Sequence, residues 1–364
     1  MRKSRVSTTE GLLARVREAT RLLRSSGPAA ATKAIQRALN DAGDPSPGKG
    51  PAITSRPHEV IDLEPAAFRR TDVGEGRTVS GSVTNAAGTR AYRLYIPGGY
   101  TGQKLPLVVM LHGCGQTPDD FAAGTTMDAV AEENDCFVAY PAQAQSANAS
   151  TCWNWFRGKD QQRDTGEPSI IADAVKQIAS EFSIDADRTY VAGLSAGGAM
   201  AAIMAMAYPD VFAAAGIHSG LAHGAAHDLP SALQAMQGGK VQAARSDPPA
   251  SPNAARGGVP LIVFHGDSDR TVHPSNGEDA VEQLIASNTD AHDIQVEKGT
   301  VPNGRGYTRS LYGRADGTIA AELWIVHGAG HAWSGGSSRG SYTDPTGPSA
   351  SREMLRFFLQ QRRR

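Results

Sequence analysis

Residues 189–200 read TYVAGLSAGGAM. An apolar, strand-like segment leads into Gly193, Ser195 and Gly197, and a run of small residues typical of a helix follows. Small neighbours let the backbone bend sharply enough to expose a serine hydroxyl at the tip of a strand. The stretch therefore predicts a strand–turn–helix elbow with Ser195 as a candidate nucleophile.

The same G-x-S-x-G pattern occurs a second time, at residues 336–340. Its serine, Ser338, lies in GGSSRGSYTD, which has no strand-like segment before it and no helix-like segment after it. A short motif is only a hypothesis until its surroundings support it. We therefore choose Ser195 and interpret the second match as a flexible loop without chemistry.

Short apolar segments recur along the chain, and helical stretches such as IADAVKQIASEF separate them. The segments are LPLVVMLHG, CFVAYP, RTYVAG, VPLIVFHG and AELWIVHG, and before them TRAYRLYIP alternates apolar and polar residues like an outer strand. Continuous apolar strands alternating with helices predict an α/β fold, with a mostly parallel central sheet flanked by helices on both faces. Chemistry in such a sheet gathers in the loops beyond the carboxyl ends of the strands.

The first 80 residues differ in composition and residue pattern from the rest of the chain. Residues 1–44 carry a capping-box pattern and apolar residues at helical spacing, which predict a short helical hairpin. Residues 45–80 are rich in Pro and Gly and predict a linker. Residues 81–364 then form the main α/β domain.

Composition limits the possible partners. The 364 residues are 40% hydrophobic and 20% charged, with a net charge of −1, so no electrostatic argument favours nucleic acid or an anionic membrane. No apolar run approaches the ~20 residues of a transmembrane helix. The basic first residues lack an unbroken apolar stretch, so we expect no secretory signal and a cytoplasmic location, with export by a route without a recognisable signal peptide as the alternative. The amino-acid composition does not indicate an oligomeric state.

A serine nucleophile needs a base and a carboxylate that orients the base. In chains with this elbow, the carboxylate and then the histidine follow the serine. The segment PLIVFHGDSDRTVHP offers Asp267 and Asp269. We choose Asp269, because the spacing D-x-x-V lets its carboxylate point back while Val272 packs. Asp267 remains the alternative, with turn capping as its structural role.

The segment LWIVHGAGHAWSGG offers two histidines for the base. We choose His331, which lies beyond the glycines of GAG, and interpret His327 as a structural residue at the strand's end. His265 and His273 are expected to be structural or rim residues. The histidines lie on separate loops without H-E-x-x-H or C-x-x-C spacing, so we expect no metal and no cofactor.

Ester or amide chemistry at a serine also needs two backbone N–H donors for the developing oxyanion. One donor is expected to be the N–H of Ala196, directly after the nucleophile. The other is expected from the loop His112–Gln116, which follows an earlier strand.

Five motifs in order carry a resemblance to a known family. They are HGCGQ at 112–116, CWNWF at 152–156, GLSAGGAM at 193–200, HGDSDRTVHP at 265–274 and GAGHAWSGG at 328–336. Together they resemble the esterases of the polyhydroxybutyrate depolymerase family, which also includes feruloyl and acetylxylan esterases. The resemblance covers about residues 89–360.

The resemblance implies an α/β-hydrolase fold and a serine esterase that works through an acyl-enzyme. It implies Ser195, Asp269 and His331 as the catalytic triad, with the backbone N–H groups of Cys114 and Ala196 as the oxyanion hole. The motifs by themselves select the triad and Ala196, whereas for the second donor they select only the loop His112–Gln116, and the resemblance adds Cys114.

The resemblance also suggests a disulfide between Cys114 and Cys152, which would tie the oxyanion loop to the CWNWF loop. Cys136 lies in a strand-like segment and is expected to be an inert buried thiol. The chain departs from the family's usual HGCTQ, because Gly115 replaces the threonine; this change is expected to loosen the loop.

Trp153, Trp155 and Trp333 lie beside these loops in sequence. They are candidates to line a substrate cleft for an acyl or aromatic group. Packing in the core is an alternative role that the sequence favours equally. We see neither a Thr-rich linker nor a polymer-binding module, so we expect short-chain esters or hydroxyalkanoate oligomers as substrates. The alternatives are a feruloyl or acetylxylan esterase and, in a different class, a non-catalytic granule- or polymer-associated binding protein.

Overall fold

The computed structural model describes residues 75–238, 258–286 and 291–363. The predicted helical hairpin at 1–44 and most of the linker at 45–80 lie outside the described residues. The first strand begins at Arg77, so residues 77–80 belong to the sheet and not to a linker. The α/β domain therefore begins before residue 81.

The described residues form one ten-stranded sheet. Its strands are β1 (Arg77–Asn85), β2 (Gly88–Ile96), β3 (Leu105–Leu111), β4 (Phe137–Pro141), β5 (Ile184–Leu194), β6 (Ala214–His218), β7 (Leu261–Gly266), β8 (Ala291–Thr300), β9 (Gly306–Arg314) and β10 (Ile319–Val326). The order across the sheet is β1-β2-β4-β3-β5-β6-β7-β10-β9-β8. Two further short strands, β11 (Trp333–Ser334) and β12 (Thr343–Asp344), pair with each other.

The central strands run parallel, from β4 through β3, β5, β6 and β7 to β10. The pairs at both edges are antiparallel. This arrangement confirms the predicted mostly parallel sheet. Because parallel strands end at the same edge, the loops after β3, β5, β6, β7 and β10 lie at one edge of the sheet.

Helices cover both faces of this sheet. They are α1 (Pro118–Thr125), α2 (Met127–Glu133), α3 (Gly166–Glu181), α4 (Ala196–Ala207), α5 (Leu229–Met236), α6 (Ser275–Ala286) and α7 (Ala350–Leu359), with a 3₁₀ turn at Gly158–Gln161. Apolar side chains of α3, α4, α5 and α6 form one buried cluster with the sheet. Those of α1, α2 and α7 form a second cluster on the opposite face. The two clusters lie on opposite faces because successive side chains of a strand point to opposite sides. In β3, Val109 and Leu111 belong to the first cluster, and Val108 and Met110 belong to the second.

Within the described ranges, every helix is too short or too polar to cross a lipid bilayer.

Candidate active site

Ser195 forms the predicted elbow between β5 and α4. Its backbone has φ 57° and ψ −119°, a region that a residue with a side chain rarely adopts. A side-chain carbon at Gly197 would collide with the carbonyl of Leu111, and one at Gly193 would collide with Gly197. Both glycines are therefore needed because the elbow passes directly against neighbouring backbone.

A backbone hydrogen bond connects the elbow to the neighbouring strand β6. The N–H of Ser195 donates to the carbonyl of His218, the last residue of β6, at 2.9 Å. Ala196 is the first residue of α4, where helix N–H groups have no partner within the helix and carry partial positive charge. Its N–H is thus suited to the oxyanion role predicted for it.

Asp269 follows β7 and is buried in a turn whose backbone N–H groups donate hydrogen bonds to its carboxylate. Its Oδ1 accepts hydrogen bonds from the N–H groups of Thr271 and Val272, at 2.8 and 2.9 Å. Its Oδ2 accepts one from Nδ1 of His331, which follows β10, at 2.7 Å. Val272 is buried in the core, as the D-x-x-V spacing predicts.

The charge of Asp269 is stabilised by these neighbours. Burial by itself would raise the pKa of Asp269, but hydrogen bonds and charge interactions with His265 and His331 bring that pKa well below its usual value. Nε2 of His265 donates to the carbonyl of Val272 at 2.9 Å and lies 3.5 Å from Asp269 Oδ2. His265 is therefore a structural residue behind the carboxylate, as expected.

Asp267, the alternative acid, belongs to a separate pair. Its Oδ2 accepts from Nδ1 of His327 at 3.0 Å, and the hydroxyl of Thr308 lies 2.9 Å from Nε2 of the same ring. The side chains of Asp267 and His327 are 40% and 47% exposed, against 0% for Asp269 and 12% for His331. Of the two candidate pairs, Asp269–His331 is therefore largely shielded from water and Asp267–His327 is open to it.

The loop His112–Gln116 lies directly against the elbow. A side-chain carbon at Gly113 would be 3.7 Å from Cβ of Ser195. Gln116 is buried, and its Oε1 accepts the N–H of Gly113 at 2.9 Å. The loop that contains Cys114 is therefore fixed next to the candidate nucleophile.

The suggested disulfide is confirmed, because Cys114 and Cys152 are joined with their Cα atoms 4.2 Å apart. Cys136 is a buried free thiol, and burial raises the pKa of that thiol to about 12, so it is inert. Gly115 has φ +77°, a conformation that suits glycine and would strain a threonine.

The three tryptophans are buried. Trp153 and Trp333 are 0% and 1% exposed, and Trp155 packs edge-on against Phe156. The indole N–H of Trp333 donates to Ser351 at 3.1 Å. A residue that lines a cleft needs an accessible ring face, so the packing alternative is the one that the structure favours.

Two further histidines lie near these loops. His273 is exposed, and its Nδ1 lies 2.9 Å from the hydroxyl of Ser275 at the start of α6, so it is a rim residue. No motif predicts His218, which is buried and accepts the N–H of Ser334 on its Nε2 at 2.9 Å. The sequence gives no signal for it, because the short strand β6 that it ends has no strong strand pattern.

The described residues contain no group of three or more His, Cys, Asp or Glu side chains arranged to hold a metal ion.

The parallel sheet, the serine elbow after β5 and the Asp–His pair from the loops after β7 and β10 define an α/β-hydrolase. A solved acetyl xylan esterase from Aspergillus awamori has the same fold, with a TM-score of 0.60 at 19% identity. That comparison covers 79% of this chain and 99% of the other.

The chain belongs to the esterase PHB depolymerase family, whose profile matches residues 90–298. A poly(3-hydroxyalkanoate) depolymerase C from Paucimonas lemoignei is 35% identical over 263 residues, which cover 70% of this chain and 60% of that protein. A feruloyl esterase B from Thermothelomyces thermophilus is 30% identical, over 62% of this chain and 78% of that protein. The chain thus spans less than two thirds of the depolymerase.

Proposed function

We propose that this protein is a serine carboxylic-ester hydrolase that works through an acyl-enzyme. The observation that carries the proposal is the buried 2.7 Å hydrogen bond between Asp269 and His331. Ser195 follows β5, whereas Asp269 follows β7 and His331 follows β10, which are two and three strands away from β5 in the sheet. All three residues lie at the same edge of the sheet.

In the proposed mechanism, the hydroxyl oxygen of Ser195 attacks the ester carbonyl carbon. Nε2 of His331 takes the hydroxyl proton, while the carboxylate of Asp269 accepts the hydrogen bond from Nδ1–H and stabilises the imidazolium without being protonated. The N–H groups of Cys114 and Ala196 donate to the oxyanion. The intermediate collapses as His331 returns the proton to the leaving alcohol, and water then hydrolyses the acyl-enzyme by the same steps.

Substrate class is proposed from chemistry and from relatives together. Hydroxyalkanoate oligomers and short-chain esters are the proposed substrates, because the depolymerase is similar over 70% of this chain. A feruloyl ester is the second candidate, because a feruloyl esterase is 30% identical. A non-catalytic binding protein would not need a complete and buried Asp–His pair beside a strained serine.

The test is a panel of p-nitrophenyl esters, hydroxybutyrate oligomers and methyl ferulate, assayed with the wild type and Ser195→Ala. We expect the wild type to hydrolyse short p-nitrophenyl esters and Ser195→Ala to lose at least about a thousandfold in kcat. The ranking of oligomers against methyl ferulate assigns the substrate class. Equal turnover by both proteins would contradict the proposed function.

A further inference from the structure

His218 occupies a position between the elbow and the loop that carries His331. It ends β6, it is buried, and its ring stacks between the rings of Phe264 and Trp333 at centroid distances of 5.8 and 5.0 Å. The stack fixes the plane of the imidazole, so its two nitrogens point in set directions.

Two hydrogen bonds connect this one residue to both halves of the site. Its carbonyl accepts the N–H of Ser195 at 2.9 Å. Its Nε2 accepts the N–H of Ser334, three residues after His331, also at 2.9 Å. Ser334 is buried, so loss of the acceptor would leave a buried N–H without a partner, which is costly.

The ring must be neutral to accept a hydrogen bond at Nε2. Its remaining proton then lies on Nδ1, which is 3.2 Å from the hydroxyl of Ser219. Burial, with His265 and His331 nearby, lowers the pKa of His218 to about 3. The ring is therefore neutral and keeps its acceptor at neutral pH.

We infer that His218 is a positioning residue: it sets the place of the His331 loop relative to Ser195 through its carbonyl and its Nε2. The inference rests on the proposed function, since it concerns the same site. It names a residue outside the triad and the oxyanion hole, and it assigns the imidazole a role without proton transfer.

Three substitutions separate the acceptor from the stacked ring. His218→Phe keeps a ring between Phe264 and Trp333 but removes the acceptor. His218→Gln places an amide oxygen near the position of Nε2 but removes the ring, and His218→Met matches glutamine in length with neither property. If His218→Phe does not fold, the comparison of kcat between His218→Gln and His218→Met still tests the role of the acceptor.

We expect kcat to fall about a hundredfold in His218→Phe and His218→Met, because a displacement near 1 Å has an effect of this size. His218→Gln should retain kcat within about tenfold of the wild type, and KM should change little in all three. Rates are normalised by titrating active sites with a phosphonate, and Tm is recorded in parallel. Exposed His227→Gln is the control and should match the wild type.

A merely structural role would lower Tm and the fraction of titratable sites but leave kcat per site unchanged. That result, or equal kcat for His218→Gln and His218→Met, would overturn the inference while the wild type remained an active esterase. A wild type that hydrolyses none of the esters would overturn the proposed function and, with it, the role of His218.

Discussion

At the scale of single residues, burial distinguishes the two Asp–His pairs. Asp269 is enclosed and accepts from two backbone N–H groups as well as from His331. Asp267 accepts from His327 and from the N–H of Gly328 at an exposed position. Charge interactions are stronger where water is excluded, so the enclosed carboxylate is the one suited to stabilising an imidazolium.

Asp269→Asn should lower kcat by about 10⁴, because an amide cannot hold the imidazole in the tautomer that leaves Nε2 free to accept a proton. Asp267→Asn is the matched control and should cost less than about threefold, because an exposed pair contributes little. Steady-state kinetics on p-nitrophenyl butyrate measure both. The reverse ranking would assign the role to Asp267.

At the scale of elements, the residues of the second G-x-S-x-G match have a structural role. The N–H of Ser337 donates to the carbonyl of Gly124 at the end of α1, and the N–H of Ser341 donates to Asp120 of the same helix. Gln116 connects this contact to the oxyanion loop, because its Nε2 donates to Asp120 at 3.0 Å. The segment 336–341 is thus docked on α1, so the prediction of a flexible loop is wrong for this segment; that it has no chemistry stays a prediction.

Gly340→Ala should displace this segment, because the added carbon would collide with the backbone of Asp120 and Gly124. We expect kcat to fall at least about tenfold with a lowered Tm, since the segment continues from the His331 loop. Exposed Ser338→Ala, in the same segment, should leave both unchanged. A Gly340→Ala variant with wild-type kcat would show that the docked segment does not position His331.

A buried ion network joins β9, β10 and α7. Glu322 of β10 is buried and accepts hydrogen bonds from Arg309 at 2.9 Å, from Arg356 at 2.7 Å and from the indole N–H of Trp324 at 3.0 Å. Burial by itself would raise the pKa of Glu322, but the two guanidinium groups bring it below its usual value.

Glu322→Gln should destabilise the fold by about 3 kcal/mol at neutral pH, because it removes one partner of a buried ion network. The folded pKa of Glu322 is depressed, so its stabilising effect is present above the unfolded value of about 4.3 and is lost as pH falls through the folded value. The difference in unfolding free energy between wild type and variant should therefore shrink below about pH 4. Urea titrations at pH 7 and pH 3 measure it; a difference independent of pH would contradict this account.

The sequence predicts the central strands from their apolar runs and β2 from its alternating pattern. Strands β3, β4 and β7 are nearly continuous apolar runs, the apolar run of β5 covers only its second half, and β10 contains Glu322; each of these strands is confirmed. Strand β6, AAGIH, is short and rich in small residues, and β8 and β9 are polar strands at an edge, so their residues carry no strong strand pattern. The elbow is predictable because its glycine spacing is local.

The sequence indicates distant contacts between residues of recognised motifs, such as Asp269 with His331, but not the contacts of residues outside those motifs. The His218–Ser334 bond joins residues 116 positions apart, and His218 belongs to none of the five motifs. The burial of Trp153 and Trp333 is likewise set by tertiary packing, which proximity in sequence to a site loop does not report.

At the scale of the whole molecule, the Cys114–Cys152 bridge closes a separation of 38 residues. In the chain-entropy model, a loop of this size contributes about 3–4 kcal/mol to stability. The bridge also holds the loop that supplies a proposed oxyanion donor, so Cys114→Ser with Cys152→Ser should lose activity at temperatures below its Tm. Parallel scans of activity and circular dichroism test this prediction, and coincident loss of both signals would contradict it.

The cytoplasmic location stays a prediction, and the bridge favours an oxidising compartment instead. Thiol counting on protein extracted under denaturing, alkylating conditions separates the two. One modified cysteine, Cys136, indicates that the bridge exists in the cell, and three modified cysteines indicate a reducing location.

Covalent labelling tests whether Ser195 is the nucleophile of an ester hydrolase. The wild type, Ser195→Ala and Ser338→Ala are treated with a fluorophosphonate, and the modified peptide is identified by mass spectrometry. We predict one adduct on Ser195 in the wild type and in Ser338→Ala, with loss of ester hydrolysis in proportion to labelling. No adduct should form in Ser195→Ala. An adduct on Ser338, or full labelling of Ser195 with ester hydrolysis unchanged, would contradict the account.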